Sequence, residues 1–132
     1  MHTVMVLAWV GAGMASDLRG TLERYFQALD DADFETAAAQ FSPDVTYVHP
    51  PMYGDETHIH SRDELLSYFT DVRGRTDSLH HVDRALADDD ACAAVGYVTT
   101  RDGDEPLEWF VSYATFDGDH MDYYIAGLLG ME

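Results

Sequence analysis

The chain has 132 residues, 46% of them hydrophobic, and carries 25 acidic residues against seven basic ones, a formal net charge of −18. That length predicts a single domain able to remove roughly two thirds of its unfolded surface from water, while the charge excludes phosphate-backbone binding and works against anionic membrane surfaces, both of which need clustered Lys and Arg. All seven basic residues are Arg, with no Lys and no Asn, which predicts an acidic, soluble, cytoplasmic protein of a salt-accumulating halophile, whose self-repulsion molar salt screens over about 3 Å; an acidic mesophilic protein is the alternative.

Residues 1–15 open with an apolar run, Val4 to Val10. It is too short to span a bilayer, and it lacks the positive n-region of a signal peptide, although Gly13-Met14-Ala15 loosely resembles a cleavage site. A start at Met14 and a segment packed on the domain are the other readings. Residues 1–15 are therefore set apart as an extension, and 16–132 as the domain.

Ser16 or Asp17 is expected to cap a first helix, on which Leu18, Leu22, Tyr25, Phe26 and Leu29 form an apolar stripe. Asp30-Asp31-Ala32-Asp33 breaks it, and Asp33 can cap a short second helix that buries Phe34, Ala37, Ala38 and Phe41. Ser42-Pro43 ends that helix. Val45 to His49 is rich in β-branched and aromatic residues and reads as a strand, stopped by Pro50-Pro51, which lack the ladder N–H. A polar loop holding His58 and His60 follows. Ser61 with Glu64 three residues on is a capping box, so a third helix is predicted from Arg62 to about Val72, burying Leu65, Leu66, Phe69 and Val72 and stopped by Gly74.

Beyond Ser78 the pattern turns to strands, at about 78–87, 91–100, 106–116 and 120–128. They are punctuated by Asp88-Asp89-Asp90, Asp102-Gly103-Asp104 and Asp117-Gly118-Asp119. Cys92 is alone, so no intrachain disulfide can form, and its alanine neighbours mark it as a small core residue. Trp109, Val111 and Tyr113 fall on one strand face and Phe110, Ala114 and Phe116 on the other. Two apolar faces predict two covers: helices on one, and a second subunit on the other, a homodimer through the sheet.

The order helix, helix, strand, helix, four-strand meander is an α+β pattern. Several features sit in fixed order: a tyrosine-bearing first helix, Asp33 leading the second, Asp44 opening the strand and Pro50 closing it. The Ser61-Arg62-Asp63-Glu64-Leu65 helix start, the His81-containing strand and the Phe116-Asp117-Gly118 hairpin complete the set. Together they resemble the nuclear transport factor 2-like superfamily, and within it the SnoaL-like group. The resemblance implies a curved antiparallel sheet wrapped by three N-terminal helices into a cone with an internal cavity. It implies polyketide cyclase, ketosteroid isomerase, dehydratase, epoxide hydrolase or purely binding activity, among which the fold does not choose. The chain differs from the group's enzymes at Ala126-Gly127, where a late acidic position is frequent, and at His60, where glycine is common.

His49 ends the first strand on the face of Tyr47 and Val45, and the resemblance implies that this strand lines the cone. Imidazole titrates near neutrality and suits proton transfer; the other reading is a strand-end His bonded to a loop carbonyl. His81 and Asp83 alternate on the second strand with Leu79 and Ala85, and could form an oriented imidazole–carboxylate pair or a polar strip at an edge. Tyr25, Tyr47, Tyr97, Trp109 and Tyr123 are candidate cavity walls with polar tips, or plain core aromatics. His58 and His60 lack the partners a metal site needs and read as a solvated loop. No phosphate loop and no nucleophile turn occurs, and no metal or organic cofactor is called for. The sequence thus predicts a binder of a small amphipathic molecule, with cofactor-independent isomerase, dehydratase or cyclase chemistry based on His49. The alternative is a non-enzymatic binding or dimerisation module.

Overall fold

The computed structural model describes residues 18–50 and 56–129; the apolar run Val4 to Val10 and the caps expected at Ser16 or Asp17 lie outside the described residues. Helix α1 covers residues 18–30, and Leu18, Leu22, Tyr25, Phe26 and Leu29 are all buried along it. It ends in a Schellman pair: Ala32 N–H donates to Leu29 O at 3.1 Å and Asp33 N–H to Ala28 O at 2.8 Å. Ala32 takes the left-handed position, φ 58°, where glycine is usual. Asp33 then caps α2 (Phe34–Ala38), accepting from Thr36 N–H.

Strand β1 runs Phe41–His49, four residues earlier than its β-branched core predicts. Its early part is irregular: pairing jumps between Phe41 and Thr46, and Pro43, which cannot donate to a ladder, sits exposed in the gap. The polar loop yields a short strand, β2 (Thr57–Ile59), antiparallel to β1 and anchored by buried Ile59. Helix α3 (Arg62–Tyr68) starts as expected: Ser61 Oγ accepts from Glu64 N–H at 3.1 Å. The Glu64 carboxylate accepts from His60 N–H rather than from the cap residue.

The chain then continues as a π-helical turn, Phe69–Arg73, closed by Gly74 N–H donating to Phe69 O. This corrects one expected burial. The wider turn carries Val72 off the Leu65–Phe69 face, leaving it 55% exposed, and brings Arg73 round toward the sheet.

Strands β3 (Ser78–Ala87), β4 (Ala91–Thr100), β5 (Glu108–Asp117) and β6 (His120–Leu128) form the predicted antiparallel meander. The full order is β2-β1-β6-β5-β4-β3, with β1 parallel to β6, so the open, curved sheet is mixed. Among the described residues α1, α2 and α3 cover the face carrying Cys92, Ala94, Phe110, Ser112, Ala114, Phe116, Met121 and Tyr124, all buried. β3 bulges between Val82 and Arg84. At the bulge β4 presents Gly96, where a Cβ would lie 2.1 Å from His81 O and 2.8 Å from Phe110 Cζ.

Candidate functional site

A cavity of about 240 Å³ lies between α1, the π turn and the helix-covered face of the sheet. Its deep end is a tyrosine cluster. Tyr25 reaches it because α1 spaces Leu22, Tyr25 and Leu29 on one stripe, and Tyr47 because β1 alternates. Their hydroxyls are 2.8 Å apart. Tyr124 stacks on Tyr47 at 5.0 Å and 12° and shares a 2.8 Å hydrogen bond with Ser112 Oγ. Burial pushes the Tyr25 and Tyr47 hydroxyls well above their ordinary value, with neighbouring tyrosines adding to it. Burial pushes Tyr124 up to about 12, against the Ser112 bond. All three are neutral at physiological pH. Tyr25 also interacts with Tyr124, so the four hydroxyls of Tyr25, Tyr47, Tyr124 and Ser112 share three bonds and the cluster as a whole keeps one proton to donate.

His49 closes β1 on the cavity wall, its ring parallel to Tyr47 at 6.2 Å and 12°. Nδ1 lies 3.2 Å from Pro50 O. A carbonyl only accepts, so this contact places the proton of the neutral ring on Nδ1 and leaves the Nε2 lone pair free. Burial lowers the His49 pKa below 6.5, the charges of His80 and Arg73 act in the same direction, and the Pro50 bond opposes them. His49 is therefore a neutral base at pH 7.

His80 shares the cavity wall. Its Nδ1 is 2.7 Å from Asp30 Oδ1, and its backbone N–H donates to Asp30 Oδ2 at 2.7 Å. The ring stacks on Phe26 at 4.9 Å and 9°. Asp30 sits at the end of α1, four residues after Phe26 and so on the same helix face. The Arg101 guanidinium bonds the Asp30 carbonyl and holds that helix end in place. A carboxylate on Nδ1 fixes His80 with Nε2 free to exchange protons, and would balance the charge of the imidazolium. Arg73, Thr76, Ser78 and Glu108 complete the polar wall.

Of the residues singled out in the sequence, Tyr25, Tyr47 and His49 meet in this cavity. His81, Tyr97 and Trp109 lie on the other face: His81 stacks on Tyr97 at 5.0 Å with Nε2 2.9 Å from Thr99 Oγ1, and Tyr97 meets Trp109 at 5.0 Å. Tyr123 also points away, since its neighbour Tyr124 faces inward. Asp83 is exposed at the bulge, which breaks the alternation expected to join it to His81 and corrects the placing of Ala85 on their face: Ala85 pairs with Ala94, on the helix-covered side. The imidazole–carboxylate pair that does form is His80–Asp30. Its signals were the His80-His81 dipeptide, which must send one ring to each face, and the i, i+4 spacing of Phe26 and Asp30. His58 is exposed on β2 with Nε2 2.7 Å from Glu56 Oε1. Among the described residues no three His, Cys, Asp or Glu side chains gather to hold a metal, and no helix is long and apolar enough to cross a membrane.

The other sheet face carries a shallow hollow of about 590 Å³ walled by Ala93, Val95, Val111, Tyr113 and Ile125. Leu86, beside it, is 74% exposed.

A family model described as SnoaL-like domain matches residues 22–123. No curated protein sequence matches the chain. Among solved structures, a candidate ketosteroid isomerase from Kribbella flavida is similar at 21% identity and a TM-score of 0.68, over 89% of this chain and 82% of that one. Bal32a, from a soil-derived mobile gene cassette, gives 16% identity and 0.70, over 87% and 91%. An LEH-like epoxide hydrolase from M. tuberculosis gives 17% and 0.67, over 87% and 84%. These likenesses establish the α+β cone of nuclear transport factor 2-like proteins.

Proposed function

Because this chain belongs to the SnoaL-like domain family, we propose that it takes a small amphipathic molecule into its cone and moves a proton on it without a cofactor. The observation that carries this reading is the neutral His49 facing a tyrosine hydroxyl pair and a carboxylate-oriented His80 in one open cavity. The substrate class that fits is a carbonyl compound. His49 Nε2 takes a proton from the carbon beside the carbonyl. The C–H electrons move to the carbonyl oxygen, which a hydroxyl of the tyrosine cluster meets with its O–H. The His49 imidazolium so formed can then return the proton at a second carbon, giving isomerisation, or to a departing hydroxyl, giving dehydration, with His80 held by Asp30 on the same wall as a hydrogen-bond partner. Cyclisation uses the same enolate against an internal carbonyl.

His49→Gln tests this. It keeps a hydrogen-bonding side chain but no base. The expected result is turnover reduced at least about a hundredfold, as general bases contribute, with the melting temperature nearly unchanged. The second reading is a non-enzymatic binding or dimerisation module, favoured by the His49–Pro50 contact, which is what a purely structural strand-end histidine makes. It expects H49Q to alter stability and leave ligand handling intact.

Two further parts of the proposal concern setting. The apolar outer face, with Val111, Tyr113 and Ile125 exposed, fits a homodimer through the sheet. The charge of −18 without lysine fits the cytoplasm of a salt-accumulating cell.

A further inference from the structure

We propose that the molecule held in the cone carries a carboxylate, and that Arg73 is its counter-ion. This rests on the reading of the cone as a small-molecule site and narrows it to a ligand class. The π turn brings Arg73 onto the cavity wall. There, among the described residues, its hydrogen bond runs from Nη1 to the adjacent Gly74 carbonyl at 3.0 Å, and no carboxylate of those residues pairs with it. A partly buried guanidinium without an acid is a charge left uncompensated. In a chain so rich in acids, the lack of one beside this Arg among the described residues is informative.

Glu108 lies on the same wall but does not reach Arg73 within ion-pair distance. The two polarise the cavity, attracting an anionic end to the π turn and turning it from the edge of β5. Apart from Glu108, the polar side chains that the described residues add to this wall carry no carboxylate: the tyrosine hydroxyls, His49, His80, Thr76 and Ser78. A planar carboxylate matches the guanidinium fork and can accept two parallel N–H bonds. The field of Arg73 reaches Tyr25, Tyr47 and His49, so an anion bound there would lie within range of the proposed base.

Benzoate and benzamide share a shape and differ in charge, and serve as probes. Each is titrated into the full chain, with affinity read by calorimetry and the His49 ring followed by NMR. Benzoate should bind at least about tenfold more tightly than benzamide, and it should raise the His49 pKa by offsetting the field of Arg73. Arg73→Gln should bring the two affinities within about twofold, with an unchanged circular-dichroism spectrum and melting temperature showing that the variant is folded. Arg73→Lys should keep part of the preference. Equal binding of both probes to the wild-type chain, or a preference that survives R73Q, overturns the carboxylate proposal and leaves the small-molecule reading standing. Binding of neither probe in the cavity overturns both.

Discussion

His49 shows how one side chain's surroundings become a measurable pH dependence. Its folded pKa lies below 6.5, chiefly through burial, so the unfolded chain binds the proton more readily than the folded one. The His49 contribution to stability is complete above pH 6.5 and is lost as pH falls from there through the folded value. On acidification from pH 7 to pH 5, the wild-type melting temperature should drop more than that of H49Q, which has no proton to take up. Parallel curves for the two proteins would show that burial does not penalise the imidazolium. The strand alternation that puts His49 beside Tyr47 was legible in Val45 to His49. The loop-carbonyl contact, now seen at Pro50, was one of the readings the sequence offered; the rest of the environment was not legible, because His80 and Arg73 reach His49 from other elements.

At the level of elements, period was readable and face was not. The alternation of β3 could be counted, but nothing local said which side the helices would cover. The bulge at Asp83 then changed the count partway along the strand. Likewise the 3.6-residue stripe of α3 was sound as far as Phe69, and the π turn beyond it exposed Val72 and recruited Arg73. At Gly96 the backbone of β3 stands close against β4. Gly96→Ala would place a methyl against a backbone carbonyl and a phenyl ring, and backbone cannot rotate aside as a side chain can. The expected loss is about 1–3 kcal/mol or more from overpacking, read as a lower midpoint in urea at unchanged slope. A neutral result would mean that the bulge is soft.

For the whole molecule, charge and the bare sheet face make opposite demands. Repulsion among 25 acidic groups should oppose both compactness and pairing when salt is low. The melting temperature is therefore expected to rise between low and molar KCl, with sedimentation at molar KCl reporting a dimer. A monomer with a flat salt response would remove both the partner and the halophile from the account. The fold class was visible in the order of helices and strands, yet the parallel junction of β1 with β6 was not, since no pattern within either strand names a partner so far along the chain. That junction has a consequence for birth on the ribosome. β1 leaves the exit tunnel long before the strand that completes it, because β6 follows the whole of α3, β3, β4 and β5. Until β6 emerges, Tyr47 has no Tyr124 to stack on and the cavity has no back wall. The nascent chain must carry β1 half-paired, exposed to chaperones and to other nascent chains, and ligand cannot assist folding until β6 has emerged.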